Sequence, residues 1–312
     1  MNNNLLIIII CISVILNYAI QKLFIRYKKF DAFNHRSSHN TLATKTGGIS
    51  IFISLFLVSN YFYFNSIEIF DFSLLIPLGI MFIVGVYDDF YNADFKLKFL
   101  LQIIVAKILI DLGFVISNYH GFLGLYEVPW IIAQFTTIFV FLVIINAINF
   151  IDGIDGLAIT EILKTILIVE LFSYTKTPLF NLSSILICGI ISLYYFNFRK
   201  NKKIFLGDGG SLFLGSVIAC YIFYVLSPEY QFKTGLEINK FAFSIIIILY
   251  PLIDLLRVFV IRIYNGRSPF IADSNHIHHK ILRKVKKHYL TLFLIIGSEL
   301  AIIYLFIKLV QT

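Results

Sequence analysis

Ten long apolar runs, nearly free of charge, follow one another along the chain near 5–25, 47–64, 73–87, 97–116, 130–148, 157–173, 181–197, 211–227, 241–263 and 288–310. A bilayer core needs about 20 apolar residues per helix, so each run predicts a spanning helix. The first run follows Met1-Asn2-Asn3-Asn4, with no positive flank before it and no small-residue cleavage site after it, and is expected to be a true span rather than a signal peptide. Only the segment from Asn118 to Pro129, with Tyr-His-Gly and Leu-Gly-Leu-Tyr, reads as a small surface hairpin. The pattern predicts an all-α polytopic integral membrane protein of about ten helices. It shows no internal repeat, low-complexity tract or Pro-rich linker, so residues 1–312 are expected to form one integral domain.

Composition agrees: 59% of the 312 residues are apolar and 14% charged, and the mean hydropathy of +0.86 leaves too little polar surface for a soluble domain. The three cysteines (Cys11, Cys188, Cys220) lie in apolar stretches without CxxC spacing and read as small buried hydrophobes. The net charge of +8 acquires meaning from its distribution. With alternating connections, 17 Lys and Arg fall on one face, in 26–46, 88–96 extended to Lys98, 149–156, 198–210 and 264–287, against three (Lys176, Lys233, Lys240) on the other. The positive-inside rule then predicts that these five segments are cytoplasmic and both termini external. No stretch is long or polar enough to make a basic soluble domain, which excludes nucleic acid as a partner.

The same five segments hold Asp88, Asp89, Asp94, Asp152, Asp155, Asp208 and Asp273, and five of the seven histidines (His35, His39, His276, His278, His279). A transporter tends to place ionisable groups near the bilayer midplane, whereas these cluster where helices meet the cytoplasm, as in an enzyme working at the membrane surface. Within the runs, Lys107 with Asp111, Glu161 with Lys164, and Asp254 with Arg257 are spaced to pair across one helical turn. Pairs that hold a bundle together are the expectation there, with a conduction path as the rival reading.

Four motifs carry the candidate chemistry. Asp88-Asp89 ends an apolar helix with two adjacent anions; they repel unless a proton or cation is shared, so the pair suits Mg²⁺ or acid/base work, or is simply solvated. In Asn149-Phe-Ile-Asp152-Gly-Ile-Asp155-Gly, glycines after each aspartate permit tight turns that bring carboxamide and carboxylates together. Gly207-Asp208-Gly-Gly-Ser211 opens a helix whose free amides favour phosphate, although it lacks a P-loop lysine, and a plain helix-start turn is the alternative. His276-Ile-His278-His279 suits a metal, or hydrogen bonds to phosphate or sugar. Together they describe Mg²⁺-assisted phosphoryl transfer.

This ordered set resembles the polyprenyl-phosphate N-acetylhexosamine-1-phosphate transferases over roughly residues 36–280. Arg36-Ser-Ser-His39 followed by Thr46-Gly-Gly48 is similar to that family's first-loop motif, except that Thr44-Lys45-Thr46 stands where members usually carry prolines and a basic residue, so only Lys45 keeps the charge. The resemblance implies a ten-helix bacterial plasma-membrane enzyme whose five cytoplasmic loops form the active site. Such an enzyme moves a sugar-1-phosphate from a UDP-amino sugar to undecaprenyl phosphate, releases UMP, and starts O-antigen, capsule or another envelope polysaccharide. It further implies Mg²⁺, with Mn²⁺ as the substitute, membrane lipid as surroundings and, because such enzymes often dimerise, a homodimer. Carried over residue by residue, Asp208 is the leading metal ligand. Asp88 deprotonates or orients the attacking lipid phosphate, and Asp89 and Asp155 complete the catalytic set. Asn149 and Asp152, with Asp155, shape the nucleotide pocket, and Lys45, His276, His278 and His279 bind phosphate or sugar. The run His-Ile-His-His resembles the branch using UDP-N-acetylglucosamine or a related sugar, some of 6-deoxy type. Three consecutive histidines would mark the alternative, the phospho-N-acetylmuramoyl-pentapeptide branch of peptidoglycan synthesis. A secondary transporter is the alternative from another class.

Overall fold

The computed structural model describes residues 3–30, 43–122, 124–266, 268 and 275–311. His35, Arg36, Ser37, Ser38, His39 and Asp273 lie outside them. The described residues are mainly helical: α1 (Asn3–Arg26), α2 (Gly47–Phe64), α3 (Leu75–Tyr91), α4 (Phe95–Asp111), α5 (Trp130–Ile151), α6 (Leu157–Phe172), α7 (Phe180–Asn197), α8 (Gly207–Leu226), α9 (Lys240–Ile246), α10 (Leu249–Tyr264), α11 (Ile277–Val285) and α12 (His288–Gln311). Every predicted run is helical. Among the described residues seven helices are long and apolar enough to cross a bilayer, α3 only together with the 3-10 turn that leads into it (Phe72–Tyr91, 20 residues), whereas α4 and α6, with 17 and 16 residues, fall short of 18. The run over 241–263 is broken by a 71° bend between α9 and α10. The fold is that of an all-α polytopic membrane protein.

The bend has a local cause. Pro251 has no N–H to give the Ile247 carbonyl four residues earlier, and its ring crowds that carbonyl. The Thr165 hydroxyl lies 3.5 Å from the orphaned oxygen, and the freed amide of Tyr250 donates to Glu299 Oε1 at 3.1 Å. In a bilayer such backbone groups need protein partners, because no water can serve them.

Packing divides the chain into two compact units, 1–98 with 178–214 and 99–177 with 215–312. In the first, α1 packs on α2 and α7 with its polar side inward. Ser13, Asn17 and Gln21, four residues apart, are at most 4% exposed, while Ile7, Ile15 and Tyr18 are at least 60% exposed. Ser13 Oγ donates to Ser54 at 3.0 Å, Asn17 Nδ2 to Ser192 Oγ at 2.9 Å, and Gln21 Nε2 to the Lys202 carbonyl at 2.7 Å. This inversion is what lipid demands: apolar residues gain nothing by facing inward, and buried polar groups join helices by hydrogen bonding.

Two short pairings complete the first unit's cytoplasm-predicted end and the second unit's hairpin. β1 (Ala43–Thr44) runs parallel to β4 (Lys203–Ile204), and β2 (Asn118–Phe122) pairs antiparallel with β3 (Leu125–Glu127), the hairpin expected from the sequence. In the second unit α10 packs on α5, and α12 on α6, α10 and α11.

Candidate active site

In the first unit, close approach of backbones sets the chemistry. After β1 and β4 pair, the amides of Gly47 and Gly48 donate to the carbonyls of Phe205 and Leu206, each at 2.9 Å, which ties the start of α2 to the segment before α8. A Cβ on Gly48 would stand 2.2 Å from Gly210 N, and one on Gly85 in α3 would stand 2.2 Å from the Asp208 carbonyl oxygen. Only glycine lets three helices meet this tightly. Gly207, at φ +75°, makes the turn into α8 with no room for a side chain, since its Cβ would lie 2.8 Å from Asp89 Oδ2.

The result is an acidic cluster with two lysines. Asp88 accepts from the Ala93 amide at 2.9 Å and is paired with Lys98. Asp89, buried, takes the Gly209 amide at 3.0 Å and has Lys45 Nζ 3.3 Å away. The carboxyls of Asp88 and Asp208 lie close enough to act on each other's charge, and neighbouring carboxylates repel unless a proton or a cation is shared. Asp208 occupies the first turn of α8, where the helix dipole favours an anion. The structure therefore brings Lys45, Asp88, Asp89 and Asp208 together, and adds Lys98, which the sequence offered only as part of a basic stretch. It also changes the reading of the glycine run. The Gly209 amide serves Asp89, and the glycines at 209 and 210 are there for packing against α3 and α2.

In the second unit a separate cluster forms around the histidines. Asp254 accepts from His276 Nδ1 at 2.6 Å through one oxygen and from the Ile277 amide at 2.7 Å through the other. The expected Asp254–Arg257 pair does not form: Arg257 donates to the Asn275 carbonyl at 2.7 Å instead. The Tyr250 hydroxyl is 3.1 Å from His278 Nδ1. His278 is fully buried, and burial, reinforced by the neighbouring His279, pushes its imidazole down to about 3, so it is neutral at physiological pH. A Cβ on Gly153 would lie 2.6 Å from His278 Nε2 and 3.1 Å from His279, so this glycine admits the histidines beside the Asn149–Asp155 loop. Asp155 is 5% exposed; its amide donates to His288 Nδ1 at 3.1 Å, and its carboxylate lies 3.3 Å from the same nitrogen. Asn149 and Asp152 are half-buried at the end of α5. His288, Tyr250 and Asp254 in this role were not read from the sequence; only a distance of over a hundred residues, closed by folding, brings His288 to Asp155.

The other expected pairs behave as structural ones. Lys107 Nζ is 2.5 Å from Asp111, both well exposed. Lys164 is 2.6 Å from Glu161 and also 2.6 Å from Glu299 of α12, all three at most 4% exposed.

Two clusters of ionisable groups at helix ends, one acidic and lysine-bound, the other rich in imidazole, have the make-up of a membrane enzyme's site, and sequence comparison specifies the family. Residues 71–226 match the profile of glycosyl transferase family 4. The chain is 28% identical over 283 residues to a probable undecaprenyl-phosphate N-acetylglucosaminyl 1-phosphate transferase of Bacillus subtilis (88% of this chain, 76% of the relative). It is 29% identical over 292 residues to the undecaprenyl-phosphate alpha-N-acetylglucosaminyl 1-phosphate transferase of Salmonella typhi (89% and 76%). A decaprenyl-phosphate N-acetylglucosaminephosphotransferase of Mycobacterium leprae is 27% identical over 282 residues (81% and 70%). The chain belongs to glycosyl transferase family 4, the polyprenyl-phosphate N-acetylhexosamine-1-phosphate transferases. It is accordingly an enzyme, and a multi-pass bacterial membrane protein.

Proposed function

We propose that the protein transfers N-acetylglucosamine-1-phosphate, or the 1-phosphate of a related N-acetylhexosamine or 6-deoxy amino sugar, from the UDP-sugar to undecaprenyl phosphate. UMP leaves, and the diphosphate-linked lipid sugar starts O-antigen, capsule or another envelope polysaccharide. The observation that carries this reading is the gathering of Asp88, Asp89 and Asp208 with Lys45 and Lys98 where α3 meets the start of α8, in a chain whose relatives are named for that transfer. The cluster suits Mg²⁺: its donors are carboxylate oxygens, and neighbouring carboxylates are favourable only where a proton or a cation is shared. Asp208 would be the main ligand, with Asp88 and Asp89 beside it. Bound there, the ion would neutralise charge on the diphosphate.

The protein's own groups supply positioning. Asp88, held by Lys98 and the Ala93 amide, orients or deprotonates the lipid phosphate. That phosphate is already an anionic nucleophile once deprotonated, so direct attack on the β-phosphorus of the donor is favoured over a covalent aspartyl route. Lys45 binds phosphate. The neutral, buried His278, with His276 and His279, hydrogen-bonds phosphate or sugar, and Asn149, Asp152 and Asp155 shape the nucleotide pocket. An apolar groove of about 210 Å³, lined by Ile116, Phe139, Val143, Leu226, Phe241 and Leu252 among others, suits a prenyl chain. The distribution of basic residues supports a cytoplasmic location for the histidine and carboxylate motifs and an external one for both termini.

The test is UMP release and lipid-diphosphate product from purified protein with UDP-N-acetylglucosamine and undecaprenyl phosphate, with and without Mg²⁺. Metal-dependent product is expected, and Asp208→Ala should abolish it in a protein that remains folded. Product only with a 6-deoxy acetamido sugar would move the substrate. Product only with the muramoyl-pentapeptide donor would favour the peptidoglycan branch. Near-normal turnover of Asp208→Ala would overturn the metal assignment.

A further inference from the structure

Tyr250, Asp254 and Arg257 lie at i, i+4 and i+7 of α10, on one face of the helix. In order along that face they engage His278 Nδ1, then His276 Nδ1 with the Ile277 amide, then the Asn275 carbonyl. A membrane helix thus holds the histidine motif residue by residue, running in the opposite direction.

From this geometry we infer that Tyr250 and Asp254 are positioning residues for donor binding: they fix the ring orientations of His278 and His276 so that Nε2 of each is the atom presented to substrate. The inference rests on the reading of the histidines as the donor-binding group.

Asp254 is wholly buried. It uses both oxygens, one for the His276 ring and one for the first free amide of α11, so it fixes the ring and the helix that carries it at once. An Nδ1 at 2.6 Å from a carboxylate oxygen carries the proton, which sets the tautomer and leaves Nε2 as the ring's other polar atom. His278 is held through its Nδ1 by the Tyr250 hydroxyl, and its Nε2, completely buried beside Gly153, finds no hydrogen-bond partner among the described residues. A buried imidazole nitrogen without a partner is costly unless a ligand completes it. Tyr250 is placed by the helix break, where its amide is held by Glu299. The buried Glu161–Lys164–Glu299 group therefore anchors the residue that holds His278. Asp254→Asn would present one acceptor where two N–H groups now bond, so either His276 or the start of α11 would lose its partner.

The experiment compares Asp254→Asn, Tyr250→Phe, His276→Asn and the Asp254→Asn/His276→Asn double variant in steady-state transfer, varying donor and lipid separately. Mapping of histidine acylation by diethyl pyrocarbonate gives a readout independent of turnover. Asp254→Asn should lower kcat/KM for the UDP-sugar roughly 10- to 100-fold, the usual cost of losing a group that orients a ligand-binding histidine, while KM for the lipid phosphate changes less than about twofold. Tyr250→Phe should lower donor kcat/KM about tenfold, as for one buried hydrogen bond. The double variant should be no worse than His276→Asn, because Asp254 acts through that ring. His276, protected in the wild type, should become reactive in Asp254→Asn. Multiplicative losses in the double variant, or equal losses toward donor and lipid, would overturn the inference. If Asp254→Asn does not fold, wild-type donor kinetics in Tyr250→Phe would overturn it. Absence of transfer by the wild type would instead defeat the proposed function. In that case unchanged protection of His276 in Asp254→Asn would still sink the positioning role.

Discussion

Adding a single methyl at residue 85 should dismantle the acidic cluster without touching any ionisable group. A Cβ at Gly85 would meet the Asp208 carbonyl oxygen at 2.2 Å, its carbonyl carbon at 2.4 Å and Gly209 Cα at 2.6 Å. All three are backbone atoms, so no rotamer change relieves the clash, and α3 and the start of α8 must separate by about 1.2 Å to restore ordinary contact. Overpacking of this kind costs about 1–3 kcal/mol, partly offset by the roughly 1 kcal/mol that alanine gains over glycine inside a helix. The protein is therefore expected to insert and stay folded. Catalysis is less forgiving. A displacement near 1 Å between groups that must act together costs on the order of 10²-fold in rate, and here the displaced group is Asp208, whose backbone the Gly85 Cβ would strike. Gly85→Ala should thus lower kcat for UMP release about 100-fold, measured in detergent with saturating substrates, with a monodisperse elution profile. Gly79→Ala on the same helix is the control: its Cβ would lie 3.5 Å from Phe52 Cζ, an ordinary contact, and activity should be unchanged. Wild-type turnover by Gly85→Ala would refute the idea that backbone proximity of α3 and α8 sets the site.

Because His278 is held down to about 3 against an ordinary value of 6.5, the unfolded chain binds the extra proton between these values. Stability should then fall as pH drops from about 6.5 toward 3, by a few kcal/mol at most, and His278→Gln should flatten that part of the profile in thermal melts. Lys164→Met would leave Glu161 and Glu299 buried without their shared cation; a loss of about 3–5 kcal/mol is expected, read as a lower Tm, and Lys164→Met with a wild-type Tm would contradict the pairing. Lys107→Ala breaks an ion pair that is exposed on both sides and should leave Tm and turnover unaltered, since exposed pairs contribute little.

The apolar runs determined the helices, because a chain in lipid must satisfy its backbone within each spanning segment, and ten uninterrupted runs leave little choice. Asp88-Asp89, Asn149 to Asp155, Gly207 to Ser211 and His276 to His279 were legible as motifs because their spacing is local. The hairpin at 118–127 and the Glu161–Lys164 pair were legible for the same reason. What tertiary structure decided was partnership across distance. Asp254 could be read only against its helical neighbour Arg257, and its actual partners, His276 and the Ile277 amide, lie more than twenty residues on. Glu299 and His288 gave no local signal for joining Lys164 and Asp155. The bend at Pro251 falls within a run that hydropathy alone makes continuous, because hydropathy measures transfer into lipid and is blind to a missing amide proton. Likewise Gly48, Gly85 and Gly210 matter through what lies within 3 Å of them, and a residue defined by the absence of a side chain shows its function only once another backbone has been folded against it.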